Sequence, residues 1–157
     1  MPNNTLDIDS LNFESLARDI LSGGNALRFR ARGGSMRPLI QDGDLLEVVP
    51  VHTAEYHLGD VILFSDSGGQ LMAHRLIHRF QREGHQILVM QGDANPREDY
   101  PVPASRVLGR VVSVERAHNS FRFTGSTHRL VGWFFILFAP TLKRVFHRLR
   151  RWLKPSS

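Results

Sequence analysis

A chain with no cysteine can build neither a disulfide framework nor a thiolate-held metal site, and these 157 residues contain none. Internal repeats are also missing, so the length reads as one domain, large enough to bury a core. Residues 1–9 are polar and expected to fray; they lack the basic start and apolar run of a secretory signal peptide. A run long enough to cross a membrane is missing too. The apolar stretch Leu130–Leu142 has thirteen residues, or about 20 Å as a helix against a hydrocarbon core of about 30 Å. Acidic residues are absent from Gly125 onward, where seven Lys and Arg fall. Residues 1–124 hold 13 basic and 15 acidic residues, so all of the excess positive charge behind the net +5 belongs to the C-terminal tail.

What is present divides the chain at residues 25 and 124. In residues 1–25, Phe13, Leu16, Ala17, Ile20 and Leu21 recur at helical spacing from Ser10, and Gly23-Gly24 stops the helix. Residues 26–124 are β-like. Leu27, Phe29 and Ala31 alternate with Arg28, Arg30 and Arg32, and further strands fit Leu45–Val51, Val61–Ser65, Leu71–Phe80, Gln86–Gln91 and Arg106–Glu115. Ser67-Gly68-Gly69 and Glu83-Gly84 supply turns, and a short hairpin is expected around Phe121-Arg122-Phe123. Short strands at close spacing predict a mainly β fold, a compact, coiled antiparallel domain with a short N-terminal helix. In residues 125–157, Val145, Phe146, Leu149, Trp152 and Leu153 interleave with basic residues. That predicts a C-terminal amphipathic helix lying on an anionic membrane surface.

Three segments carry chemistry. Gly33-Gly34-Ser35-Met36-Arg37-Pro38, with Asp42-Gly43-Asp44 behind it, sets a serine on open turn backbone and makes Ser35 a candidate nucleophile. Ala73-His74-Arg75-Leu76 supplies an imidazole, and Gly92-Asp93-Ala94-Asn95 with Asp99 supplies two carboxylates. A hydroxyl, an imidazole and a carboxylate are the parts of nucleophilic catalysis when a fold unites them. In a regular strand Met72, His74, Leu76, His78 and Phe80 share one face. His74 and His78 are the only close pair among eight scattered histidines, so no metal and no cofactor is expected. Asp42 and Asp44 read as turn formers around Gly43, and the carboxylates near Gly92 could equally cap local backbone.

From Arg28 to Val112 these segments resemble the superfamily of type I signal peptidases and self-cleaving SOS-type repressors. There a Ser-Met-x-Pro box carries the nucleophile and a later strand its base. Bacterial signal peptidases and the repressors place a lysine at the base position. This chain has His74, which is similar to the Ser/His branch of archaea and the endoplasmic reticulum. The resemblance implies Ser35 as nucleophile, His74 as base and Asp99 or Asp93 as the orienting acid. Gly34, Met36 and Pro38 are the expected substrate-binding positions. Some lysine-type relatives add a hydroxyl two residues before the nucleophile; Gly33 stands there, leaving oxyanion stabilisation to backbone N–H groups.

The expected function is therefore a serine endopeptidase, similar to signal peptidase, acting on a peptide or preprotein with small residues before the cut. Two alternatives stand beside it: a peptide-binding domain of the same fold that does not cleave, and a self-cleaving regulator. Only one short helix precedes the Ser35 box, which leaves no helix-turn-helix to read DNA, so nucleic acid is not an expected partner. Residues 1–32 contain no Ala-Gly or Cys-Gly cut site. With neither signal peptide nor spanning helix, the chain is expected at the cytoplasmic face of a membrane.

Overall fold

The computed structural model describes residues 10–51, 55–94, 101–117 and 119–122. The expected C-terminal helix, the 125–157 tail and Asp99 lie outside these residues. Helix α1 (Ser10–Ser22) ends where Asn25 N–H returns to the Ile20 carbonyl and Gly24 N–H to Leu21. Its packed stripe is Phe13, Ala17, Ile20 and Leu21. Leu16, expected on that face, sits at the flank and is 43% exposed.

Eight strands follow: β1 (Leu27–Arg30), β2 (Leu45–Val49), β3 (Val61–Ser65), β4 (Leu71–Arg82), β5 (His85–Gln91), β6 (Pro101–Pro103), β7 (Val107–Arg116) and β8 (Asn119–Arg122). They form one antiparallel sheet in the order β1-β2-β7-β3-β4-β5-β6, with β8 also on β7, curled into a half-barrel. The mainly β fold expected from strand spacing is the fold observed. Strand β6 was not anticipated, because Pro101 and Pro103 argue against a strand; it lies at the sheet edge, where proline is tolerated.

Strand β3 is buried along its whole length and sends alternate side chains into two cores. Val61 and Leu63 join α1, Met36, Ile40, Leu46, Val48 and Val111 on one side. Ile62 and Phe64 join Tyr56, Leu76, Leu88, Met90 and Val102 on the other. The Tyr56 hydroxyl donates to the Val51 carbonyl at 2.8 Å. Burial pushes its pKa to about 12, so the phenol remains a donor.

Bulges supply the curl. Strand β7 carries an extra residue at Val112 against β2 and another at Leu108 against β3. Val111 and Val114, three apart, consequently enter the same core. Strand β4 has a bulge at Ile77: Leu76 opposes Met90, but His78 opposes Val89. Because Met90 and Val89 point to opposite faces, His78 leaves the face that holds His74 and Leu76, and the regular alternation expected along this strand stops there.

Gly109 sits where β7 passes between β2 and β3. A Cβ there would lie 2.5 Å from the Val49 carbonyl oxygen and 2.8 Å from a Val48 methyl. Backbone cannot yield as a surface side chain does, so Gly109→Ala is expected to cost about 2 kcal/mol or more by overpacking. Equilibrium denaturation checks this; an unchanged midpoint would show that the strands separate freely.

Candidate active site

Strand β1 leads into the Ser35 turn, and the turn returns to β2 through Asp42-Gly43-Asp44. Gly33 adopts φ 90°, a conformation side-chain-bearing residues rarely take, so glycine is required to bring the chain round ahead of the serine. Its N–H is capped by Asp42 Oδ1 at 2.8 Å. Gly43 N–H donates to the Ala31 carbonyl and Ala31 N–H to the Asp44 carbonyl, both at 2.8 Å, closing the base of the loop. Met36 and Ile40 anchor it from beneath by joining the first core.

Asp42 and Asp44 act as the turn residues expected, with Asp44 Oδ2 accepting the Gln41 N–H at 2.8 Å. Sequence reasoning missed the ion pair below them. Arg116 of β7 grips both Asp44 oxygens, at 2.8 and 2.6 Å, and donates to the Leu39 carbonyl at 3.1 Å. The Arg116 hydrogen bond, reinforced by the Gln41 N–H and the Arg116 charge, holds the Asp44 carboxyl below its usual range despite burial. A carboxyl whose folded pKa is depressed stabilises the fold above its unfolded pKa and loses that contribution as pH falls through the folded value. The Ser35 loop is therefore expected to lose stability from about pH 4 downward. Thermal melts should show Asp44→Asn less stable than wild type at neutral pH, with a smaller further loss on acidification.

His74 comes from β4, opposite Ile62 of β3. It is 2% exposed, and its ring lies against Phe64 with centroids 5.8 Å apart. Its Nε2 is 3.0 Å from Ser35 Oγ. The serine is exposed and the imidazole buried. An exposed hydroxyl thus touches an imidazole fixed by packing, the geometry that activation of a hydroxyl requires.

The two expected acids differ in placement. Asp99 lies outside the described residues. Asp93 gives its two carboxylate oxygens to Arg75, not to the imidazole: Oδ1 accepts from Nε at 2.8 Å and Oδ2 from Nη2 at 2.7 Å. Arg75 also donates to the Gly59 carbonyl at 2.7 Å. Both side chains are about 96% buried. The next residue, Ala94, donates its N–H to the Ser35 carbonyl at 2.7 Å. The Arg75–Asp93 pair thus lies one residue from the backbone contact to Ser35. The signal for it lay in β4, where a charged Arg75 within a buried strand demands a carboxylate.

Beside Ser35 opens a cleft of about 760 Å³. Its walls include Phe29 and Arg30 of β1 and Leu71 to His74 of β4. Both segments present unpaired strand edges among the described residues. Strand β1 ends the sheet, and β5 joins β4 only from Arg75 onward. Of the expected substrate-binding positions, Met36 lines the cleft, while Gly34 and Pro38 lie in the turn without lining it. No group of His, Asp and Glu suited to a metal occurs among the described residues.

A family model described as Peptidase S24-like matches residues 5–112. The chain belongs to this family. The match spans α1, the Ser35 turn, His74 and Asp93, and it agrees with the superfamily to which the three segments point. Membership in the Peptidase S24-like family supports a serine peptidase or a self-cleaving, repressor-type protein. No curated protein matches the chain. No helix among the described residues is long and apolar enough to cross a membrane.

Proposed function

We propose that the chain is a serine endopeptidase that cleaves a precursor or leader peptide, using Ser35 as nucleophile and His74 as general base. The observation that carries this reading is the 3.0 Å contact between Ser35 Oγ and His74 Nε2. For the base role Nε2 is the unprotonated ring nitrogen. As Oγ bonds to the scissile carbonyl carbon, its proton passes to Nε2, and the carbonyl oxygen takes the negative charge. Backbone N–H groups at Ser35 and Met36, which have no backbone acceptor among the described residues, are available to that oxyanion. Collapse breaks the C–N bond, and His74 returns the proton to the leaving amine. A water, deprotonated by His74, then hydrolyses the acyl-enzyme. Asp99 is proposed to orient the imidazole.

The unpaired edges of β1 and β4 on either side of the cleft suit a substrate bound as an extended strand. Incubating the full chain with a peptide library, and reading products by mass spectrometry, tests the activity. Cleavage in proportion to protein concentration, abolished in Ser35→Ala, supports an endopeptidase acting on other chains. First-order shortening of the chain itself, at a rate independent of concentration, would instead make it the self-cleaving regulator. Products in neither form would leave the domain a binder.

Membrane attachment at the cytoplasmic face is proposed from the tail sequence, in which basic residues and aromatics follow the apolar run without any acid. Full-length protein is expected to sediment with anionic vesicles and less with neutral ones. Added salt should release it, since each basic residue near such a surface contributes about 1 kcal/mol. Equal binding to both, or to neither, would remove the membrane from this reading.

A further inference from the structure

The cleft beside Ser35 is larger and differently charged than a site for small neutral residues requires. Its volume of about 760 Å³ is bounded by Phe13 of α1 and Phe29 of β1, which meet edge to face with centroids 5.7 Å apart, and by Leu63 and Leu71. An alanine side chain would cover little of this apolar wall, whereas a leucine or phenylalanine side chain would cover much more of it. Arg30 and Arg32 line the same cleft, and among the described residues no carboxylate lines it. The nearby acids are engaged elsewhere. Asp42 caps Gly33, Asp44 holds Arg116, and Glu14, next to Phe13, accepts from Arg18. Arg30 donates to the neutral carbonyl of Gly43, and neither it nor the exposed Arg32 makes an ion pair among the described residues.

We infer that the cleft selects a peptide segment in which a bulky apolar residue is flanked by acidic ones. Arg30 and Arg32 are the specificity-determining cations, and the part of the cleft lined by Phe13 and Phe29 takes the apolar side chain. This rests on the reading of the cleft as a peptide site. It departs from the small residues that the superfamily resemblance implies.

The test measures binding apart from cleavage. Full-length Ser35→Ala protein is titrated, by fluorescence anisotropy at low salt, into three labelled peptides that differ only at their centres: Glu-Leu-Glu, Lys-Leu-Lys and Glu-Ala-Glu. The Glu-Leu-Glu peptide is expected to bind about tenfold or more tightly than either of the others, and its advantage over Lys-Leu-Lys should shrink as salt rises. Adding Arg30→Glu and Arg32→Glu should reverse the order of the two leucine peptides. If that variant does not fold, the single exposed change Arg32→Gln must still narrow their difference. Equal binding of all three, preference for the alanine or lysine peptide, or no binding would overturn the inference. Cleavage by the wild type that favours small neutral residues would overturn it while leaving the peptidase intact. Selective binding with no cleavage by the wild type would uphold it and remove the peptidase.

Discussion

Replacing Ser35 by alanine is expected to lower turnover of a cleaved peptide by about 10⁴-fold or more, and replacing His74 by alanine to do nearly the same. In the proposed mechanism nucleophile and base act as one unit across the 3.0 Å contact, so the double variant should be hardly worse than either single one. The two changes differ in their structural cost. Ser35 is exposed and its side chain can be removed with little effect on stability. His74 is buried against Phe64, and its loss leaves a cavity beside the second core. His74→Ala should therefore melt earlier than Ser35→Ala while being equally inactive. Turnover that survives either substitution would end the dyad assignment, and additive losses would show that the two groups act separately.

The second large effect is expected at Arg75 and Asp93. Removing one partner of a buried ion pair strands the other charge, so Asp93→Asn or Arg75→Met should each destabilise the fold by about 3–5 kcal/mol. Both side chains are almost wholly buried, with the arginine further fixed by the Gly59 carbonyl. Replacing both by apolar residues of similar size should recover much of that stability, because no charge is then left unpaired. Activity should not recover to the same extent. The pair holds the segment whose Ala94 N–H carries the Ser35 carbonyl, so the nucleophile loses a support even where the fold is rescued. Denaturant midpoints and turnover, measured on the same three variants, separate the two effects. Parallel recovery of both would make the pair a matter of stability alone.

Local pattern made much of this molecule readable. Alternation at Leu27, Phe29 and Ala31, and the glycine turns near Ser67 and Glu83, place strands within a few residues of where they lie. The spacing of Phe13, Ala17, Ile20 and Leu21 places the helix. Register and long-range pairing were not readable. The bulge at Ile77 depends on how β4 meets β5, and nothing in its own sequence displaces His78 from the face of His74. Arg116 and Asp44 are 72 positions apart, and Arg75 and Asp93 are 18 apart. Arg75 within a strand signals that a carboxylate is needed, but which acid answers it, and the Arg116–Asp44 pair altogether, become visible only when the sheet is folded. Ser35 and His74, separated by 39 positions, were found because two sequence boxes resembled a family, and the fold brings them into hydrogen-bond contact. That same resemblance left the acid open. Asp93 turns out to serve Arg75, and Asp99 remains a proposal.

Reaction of the full-length protein with a peptidyl fluorophosphonate, followed by mass spectrometric mapping of the adduct, tests the Ser35–His74 dyad most directly, because it needs no knowledge of the natural substrate. One adduct is expected, on Ser35, forming at least about a hundredfold more slowly in His74→Ala, where no base takes the hydroxyl proton. An adduct on another serine, or modification of Ser35 at the same rate without His74, would contradict it.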